Sequence, residues 1–309
     1  MVAKFFNKTK PVNTVINLSF LLFLFVYTFF VYSNSNYGLH LFGQRVLDFV
    51  LLLFNLFLIL FIIRKNNLTK NNSYAELLIV LFIGMFPTVM INTSVLISNL
   101  VLLFAFRRIY SLRTGKDVKE KLFDSSFLIG IATLLHPWTM LYILLIYVGI
   151  SVFQKSNMRT ILIPLVGFIT PLFLYWTYTL LVSATSGAFP DLHIGYNFSN
   201  YNSLRLLLPL AMVATFIFWT ILPTTAKIYS VNNQFRDLWV LILYHLAVSV
   251  VVMLFAGAKD GSETLFLFFP VAVIITNYLQ QIKEKWFKEV VLLLFIFTTF
   301  FGLIYSFSP

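Results

Sequence analysis

The sequence lacks cysteine altogether and contains few charged residues. Of its 309 residues, 11% are charged and 60% are hydrophobic. The absence of cysteine excludes disulfide bonds, iron–sulfur clusters and zinc sites built from thiolates. About a quarter of the residues in a soluble domain are charged, so this chain has too few charges to cover a surface that faces water. We therefore predict an integral membrane protein.

Long apolar runs, separated by short polar stretches, indicate the architecture. A bilayer core of about 30 Å requires about 20 apolar residues in a helix. The runs lack the alternation of barrel strands, and only helices satisfy their backbone within one segment. We predict an all-α, polytopic transmembrane bundle that forms a single integral membrane domain over residues 1–309. Its eleven spans lie near residues 14–33, 46–63, 75–91, 94–110, 124–136, 139–154, 160–183, 205–223, 238–256, 263–281 and 289–307.

The basic residues predict the orientation of these spans. If the N-terminus is cytoplasmic and all eleven segments cross, only Arg45, Arg205 and Lys259 of the 22 lysines and arginines lie outside. Positive residues concentrate in cytoplasmic loops, so the N-terminus is predicted inside and the C-terminus outside. The net charge of +11 is then explained by short loops that face anionic lipid, and no nucleic-acid partner is predicted.

The length of the segments and the count of basic residues on each side both predict a tight outward hairpin at His136-Pro137-Trp138. A single helix over 124–154 would be about 46 Å long, which is too long for a bilayer unless it is steeply tilted. Merging the two segments would also move the later basic loops to the outside.

Acids on the cytoplasmic side, with Glu76 at the start of segment 75–91, are predicted to be loop charges or to complement helix dipoles.

Polar residues predicted on the outer side form the candidate site. They include acids, bases and cations from separate loops and span ends, and in a compact bundle they would converge as a site for an anionic head group requires. The alternative is that they are scattered interfacial charges. The predicted substrate-binding residues are Arg45, His136, Asp191, His193, Arg205 and Lys259.

Asp48 is the predicted catalytic residue. It lies about one turn inside the second span, where an ionised carboxylate is costly unless it is paired or hydrated. Two interpretations remain open: a carboxylate that faces an outward cavity, or an ion pair with Arg45 three residues earlier on the same helix face.

His245 lies near the middle of segment 238–256. It is either a neutral histidine hydrogen-bonded to a neighbouring helix or part of a proton relay, for which the sequence offers no acid at similar depth. Asp191 and His193 provide too few ligands for zinc, which takes three or four. We predict no metal site and no cofactor.

The middle of the chain carries a family resemblance. After the basic stretch Arg107–Lys121 comes FDSSFLIGIATLLHPWTMLYILLIYVGI, and after Arg159 comes ILIPLVGFITPLFLYW. This order resembles the central helices of C-type glycosyltransferases, which take sugars from polyprenyl-phosphate donors. It is also similar to an uncharacterised family of bacterial multi-pass inner-membrane proteins. C-type glycosyltransferases usually have their catalytic acid in the first outward loop, but here that loop, NSNYGLHLFGQ, has none. Either Asp48, just beyond it, takes the catalytic role, or the chain shares the scaffold without transferase activity.

The resemblance implies a protein of the bacterial cytoplasmic membrane that acts on or binds a lipid-linked glycan or a phosphate-bearing lipid at the outer leaflet. Its partners would be membrane lipids, including a polyprenyl-phosphate-linked sugar. Two alternatives remain: a non-catalytic scaffold subunit of a cell-envelope complex, with membrane-protein partners, and a small transporter. The residues leave open whether the protein is an enzyme.

Overall fold

The computed structural model describes residues 2–32, 39–182, 194–231, 233–257 and 259–305, and these residues form a bundle of helices, as predicted. Short 3₁₀ helices cover Pro87–Ile91, Ser111–Thr114, Pro137–Tyr142, Ser199–Asn202 and Ser262–Thr264. The α-helices are α1 (Val2–Phe6), α2 (Pro11–Tyr32), α3 (Leu39–Lys65), α4 (Tyr74–Met85), α5 (Thr93–Tyr110), α6 (Val118–Leu135), α7 (Ile143–Val152), α8 (Met158–Val182), α9 (Leu204–Val231), α10 (Asn233–Phe255), α11 (Leu265–Gln281) and α12 (Lys285–Tyr305).

Eight helices in the described ranges are long and apolar enough to cross a membrane. They are α2, α3, α5 and α8 to α12, and each coincides with a predicted span. The other three predicted segments are helical but differ in kind. Two contain shorter apolar helices, Tyr74–Met85 and Pro137–Val152, and α6 carries three charged residues in its first four positions. The structure thus supports a multi-pass membrane protein.

Two helices form the centre of the bundle. Every residue of α4 is buried, and α11 is buried continuously from Leu265 to Asn277. A helix that is apolar on all sides belongs in a core. Helices α2 and α12 pack against α4, while α9 and α10 pack against α11. Helices α8 and α9 lie at the periphery; α8 exposes most of its apolar side chains, and α9 exposes several large ones.

Contacts between helix termini divide the bundle into two ends. At one end, the Val2 backbone donates to Glu289, the Lys70 backbone donates to Gln280, and Arg108 pairs with Asp124. We call this the basic end; it comprises residues 2–10, 64–73, 107–121, 153–159, 227–230 and 281–289. The opposite end comprises residues 86–93, 136–142, 194–204, 256–257 and 259–264, and its segments also contact one another.

The chain reverses direction at His136, where the outward hairpin was predicted. His136 leaves the helical region with φ −143° and ψ 98°, and Pro137 begins the following 3₁₀ helix. Helix α6 packs antiparallel to α5, because Arg108 pairs with Asp124 at one end and Ser94 donates to the Leu135 carbonyl at the other. It packs closely against α8, where a Cβ on Gly130 would lie 2.7 Å from the Phe168 carbonyl oxygen. Small residues permit such close approach of membrane helices.

Candidate functional site

Asp48 is completely buried near the opposite end, and both of its carboxylate oxygens have partners. Arg45 Nη1 lies 2.9 Å from Oδ2 and also donates to the Ile91 carbonyl at 3.0 Å. The Thr93 hydroxyl donates to Oδ1 at 2.5 Å. The Asp48 side chain is 0% exposed and that of Arg45 is 23% exposed. Of the two interpretations that the sequence left open for Asp48, the structure contains the ion pair; the catalytic role stays a prediction.

Lys259 is also bound within the protein. Its Nζ donates to the carbonyl oxygens of Met253 and Leu254, both at 2.7 Å. These carbonyls belong to the last turn of α10, where a cation complements the helix dipole. The ammonium also lies 5.0 Å from the centre of the Phe198 ring. Burial lowers the pKa of Lys259, an effect that the Glu263 carboxylate opposes.

A second buried carboxylate, Glu263, lies next to this lysine. The Tyr201 hydroxyl donates to Oε1 at 2.5 Å, and the Gly261 backbone donates to Oε2 at 2.9 Å. Burial and the charge of Glu263 raise the pKa of Tyr201. Gly261 has φ +94°, and a Cβ there would lie 2.9 Å from the Leu206 side chain. Glycine is therefore required at this turn for both its backbone angle and the close contact.

Hydrogen bonds connect these groups into one polar layer at the opposite end. Asn92 caps α5 by accepting from the Val95 backbone, and its amide nitrogen donates to Ser262 at 2.9 Å. Ser262 donates to Asp260 at 2.6 Å, and the Asp260 carbonyl accepts from Thr88 at 3.0 Å. The layer thus joins the 3₁₀ helices Pro87–Ile91 and Ser262–Thr264, and its ionic groups stabilise the fold.

Of the remaining predicted site residues, the structure describes His136 and Arg205. Burial and the charge of Lys259 lower the pKa of His136. The centre of the His136 ring lies 5.1 Å from that of the Phe266 ring. Arg205 is half-buried and adjoins Leu206, which contacts Gly261. Asp191 and His193 lie outside the described residues. The structure therefore brings Arg45, Asp48, His136, Arg205 and Lys259 to one end of the bundle, as predicted for the outer side.

His245 is buried between α5, α11 and the 3₁₀ helix Pro137–Tyr142. Its Nδ1 lies 3.1 Å from the Tyr110 hydroxyl, and the Phe106 ring centre lies 4.2 Å away. Nearby, Tyr142 and Ser249 share a hydrogen bond of 2.9 Å. This is the hydrogen-bonded arrangement with a neighbouring helix that the sequence offered as one alternative. In the described part of the chain no acid contacts His245.

The basic end contains a cavity that the sequence analysis did not predict. It has a volume of about 490 Å³ and contains two lysines, several side-chain amides and no acid among the described residues that line it. The Gln280 amide nitrogen is buried without a hydrogen-bond acceptor in the described structure. The lining residues are Asn67, Leu68, Thr69, Lys70, Asn71, Lys227, Ile228, Phe235, Asn277, Gln280 and Gln281.

Asparagines fix the loop that borders this cavity. Asn67 ends α3 with φ +51°, and the Leu68 backbone then donates back to the Ile63 carbonyl at 3.0 Å. Asparagine tolerates this left-handed geometry at a helix C-terminus. Asn72 accepts from the Tyr74 backbone, and Asn277 of α11 donates to the Leu68 carbonyl at 2.9 Å. The stretch RKNNLTKNNS was the available signal, but its arginine and two lysines were interpreted only as orientation signals.

A second cavity adjoins the first and shares Asn67, Thr69, Lys70 and Asn71 with it. Its volume is about 250 Å³, and Glu76 borders it. The Glu76 side chain is 2% exposed, and Arg64 Nη2 lies 3.8 Å from Oε2. The Thr14 hydroxyl donates to the same oxygen at 3.2 Å, whereas Oε1 is buried without a hydrogen-bond partner in the described structure. Glu76 lies in the first turn of α4, as the helix-terminal alternative predicted, but its side chain is buried rather than solvated.

Comparisons with known proteins identify a family but no function. No curated protein and no solved structure matches the chain. A family model described as a family of unknown function (DUF6427) matches residues 7–307, a range that includes every helix from α2 to α12. Because the match covers nearly the whole chain, this protein belongs to the family DUF6427.

Proposed function

We propose that this protein is a multi-pass protein of the bacterial cytoplasmic membrane that binds a phosphate-bearing lipid in the cavity at its basic end. The observation that carries the proposal is the lining of that cavity: Lys70, Lys227 and side-chain amides, with no acid among its described residues. Lysine binds phosphate as a point charge, and amide N–H groups add directed donors. The buried Gln280 amide nitrogen is one donor that lacks an acceptor.

The surroundings of the cavity favour a lipid over a free anion. Leu68, Ile228 and Phe235 give it an apolar side. Helix α9 leads away from it toward the middle of the bundle and exposes large apolar side chains there, with Trp219 62% and Leu222 76% exposed. An acyl chain attached to a phosphate in the cavity would lie along this apolar surface within the bilayer.

The proposal includes the predicted topology: eleven crossings, with the N-terminus and the basic end in the cytoplasm. In support, Arg45, Arg205 and Lys259 come from the opposite end or beside it, whereas the other basic residues belong to the basic end or to helix termini next to it. The cytoplasmic leaflet is rich in anionic lipid, which basic segments attract. The eight long helices account for most of the crossings.

The glycosyltransferase-like interpretation is a weaker proposal on this geometry. It requires Asp48 to act as a base or to orient the acceptor at the outer leaflet, and Arg45, Arg205 and Lys259 to hold phosphate. Asp48, Arg45 and Lys259 bind partners within the protein instead. A lipid-linked glycan would have to displace those contacts before reaching any of the three side chains.

Lipid binding to the purified, full-length protein tests the proposal. We expect dioleoylphosphatidylglycerol, added to the protein in neutral detergent, to bind saturably in native mass spectrometry and to raise the unfolding temperature. The double variant Lys70→Ala/Lys227→Ala should weaken binding by roughly tenfold or more, because each lysine near a phosphate contributes about 1 kcal/mol.

Lys119→Ala is the matched control, since Lys119 is an exposed lysine at the same end that does not line the cavity. Inorganic phosphate distinguishes the two sources of the anion: tight binding of phosphate alone would identify a soluble ligand and contradict the lipid proposal. Equal lipid affinity of the double variant and the wild type would also contradict it.

A further inference from the structure

The buried carboxylate beside the phosphate cavity indicates which lipid head group fits. We propose that the two adjoining cavities at the basic end together bind a phosphoethanolamine group, with the phosphate on Lys70 and Lys227 and the primary ammonium on Glu76. This inference rests on the proposed function and names the class of lipid. It explains a feature that phosphate binding leaves unexplained, namely an acid next to an anion site.

Glu76 has the unused hydrogen-bonding capacity that an ammonium needs. Its side chain is almost completely buried, and Oε1 has no hydrogen bond of normal geometry within the described residues, although the Asn17 amide lies close enough to act on the carboxylate. The Asn13 carbonyl oxygen, on the neighbouring helix α2, is likewise buried without a donor. A buried acceptor left without a donor costs about 1–3 kcal/mol. An ammonium brings three N–H donors, enough to supply both of these acceptors.

Arg64 does not satisfy Glu76 well enough to exclude an ammonium. Its Nη2 lies 3.8 Å from Oε2, beyond hydrogen-bonding distance, and its side chain is 60% exposed. At this length the contact is weak, and an ammonium bound to Glu76 would replace the charge of Arg64 when Arg64 turns away. It also lines the second cavity. As the ammonium approaches Glu76, Arg64 is placed to turn toward the phosphate.

The loop that lines both cavities lies between the proposed phosphate and ammonium positions. Asn67, Thr69, Lys70 and Asn71 border both cavities, so a ligand that fills both passes over this loop. The loop is held in place by the hydrogen bond from the Lys70 backbone to Gln280 and by Asn72, which donates to the Lys70 carbonyl. The first cavity contains the two lysines and the second is bordered by Glu76. A zwitterionic head group, in which phosphate and ammonium are adjacent, matches this order.

Phosphatidylglycerol and phosphatidylcholine lack a group that donates hydrogen bonds to Glu76 and also neutralises its charge. In phosphatidylglycerol the second part of the head group is neutral, and next to the carboxylate it replaces no missing charge. In phosphatidylcholine the ammonium is fully methylated and has no N–H to donate to Oε1. Both lipids keep the phosphate contacts with Lys70 and Lys227, so they should bind, but more weakly than phosphatidylethanolamine.

Competition among head groups on one protein tests the inference. The full-length protein in neutral detergent is titrated with the dioleoyl forms of phosphatidylethanolamine, phosphatidylglycerol and phosphatidylcholine, and binding is measured by native mass spectrometry. We expect the wild type to prefer the ethanolamine lipid by roughly tenfold, which corresponds to about 1.4 kcal/mol. Glu76→Gln should abolish that preference and leave the affinity for phosphatidylglycerol unchanged or higher.

Glu284→Gln is the control, because Glu284 is an exposed acid at the same end that lines neither cavity. Equal binding of the three lipids by the wild type, with the Lys70 and Lys227 dependence intact, would overturn the inference and leave the proposed function standing. Loss of all saturable binding would overturn both. Soluble phosphoethanolamine that binds as tightly as the lipid would overturn the lipid assignment in favour of a soluble ligand.

Discussion

At the scale of single residues, the pairing of Asp48 shows how a membrane helix accommodates a carboxylate. Arg45 supplies the opposite charge three residues earlier, and Thr93 supplies a hydroxyl from α5. Both partners are needed, because a carboxylate buried in an apolar environment is unfavourable without compensation. The ion pair connects α3 to the start of α5, so we expect it to stabilise the contact between these two helices.

Asp48→Asn tests this structural role. Replacing the carboxylate removes a charged hydrogen-bond partner from Arg45, and hydrogen bonds to charged groups contribute about 1.5–3 kcal/mol. We expect the free energy of unfolding in detergent to fall by about 1–3 kcal/mol, measured by tryptophan fluorescence during denaturation.

Asp124→Asn is the matched control for this substitution. Asp124 also pairs with an arginine at 2.9 Å, but both side chains are substantially exposed, so its loss should cost less than about 1 kcal/mol. Combining Asp48→Asn with Arg45→Gln should cost less than the sum of the two single changes. If Asp48→Asn leaves stability intact but abolishes transfer from a lipid-linked sugar, Asp48 is catalytic and the structural interpretation is wrong.

At the scale of elements, glycines determine how closely α6 and α8 approach. A Cβ on Gly167 would lie 2.1 Å from the Ser126 hydroxyl oxygen and 2.8 Å from the Phe123 carbonyl oxygen. The backbone oxygen is unable to move without displacing α6. The glycines in the stretch for which a resemblance to C-type glycosyltransferases was predicted therefore pack α6 against α8.

Gly167→Leu should separate these two helices. Overpacking of a well-packed contact typically costs about 1–3 kcal/mol, and a clash with backbone belongs at the upper end of that range. We expect a lower unfolding temperature in detergent. Gly43→Leu in α3 is the control, since nothing lies within 4 Å of a Cβ there; equal effects of the two substitutions would contradict the packing role of Gly167.

Helix boundaries illustrate where apolar periodicity misleads. The predicted span 205–223 ends at a proline, but α9 continues through Pro223 to Val231. The polar residues after Pro223 are compatible with helix, and they lie beyond the apolar stretch at the basic end. Conversely, segment 75–91 reads as one apolar run, whereas α4 ends at Met85 and a 3₁₀ helix begins at Pro87. Proline begins a helix more readily than it continues one.

At the scale of the whole molecule, the absence of cysteine makes the topology directly testable. A single cysteine introduced at Lys116, Ser156 or Asn200 would be the only thiol in the chain. Lys116 and Ser156 belong to the basic end and Asn200 to the opposite end. We expect a membrane-impermeant maleimide to label Asn200→Cys in intact cells, and to label the other two variants only after permeabilisation.

Ser156→Cys is the decisive position, because it lies after the reversal at His136. If Ser156→Cys is labelled in intact cells while Lys116→Cys is protected, residues 116 and 156 lie on opposite sides of the membrane. The chain between them would then cross the membrane once and not twice. The eleven-span topology would then be wrong, and the cavity at the basic end would need a new compartment assignment.

The candidate sites differ in how far the sequence reveals them. Arg45 and Asp48 are three residues apart on one helix, so helical geometry alone predicts their pairing. The polar layer at the opposite end was predicted only as a convergence of residue types. The basic-end cavity was missed, because Lys70 and Lys227 are 157 positions apart in the sequence and each also fits an orientation signal. The burial of Glu76 was not predicted, because it depends on α2, which packs against α4.

The sequence by itself determined the class of the protein, the helical architecture and the separation of basic residues from the rest, since these follow from hydrophobicity and charge along the chain. Tertiary structure alone decided which polar groups are satisfied and which are left available. Arg45, Asp48 and Lys259 find partners within the bundle, whereas Glu76 and Gln280 each have a buried atom that makes no hydrogen bond of normal geometry with the residues that the structure describes. That difference depends on contacts between distant helices, and a residue's type and position do not reveal it.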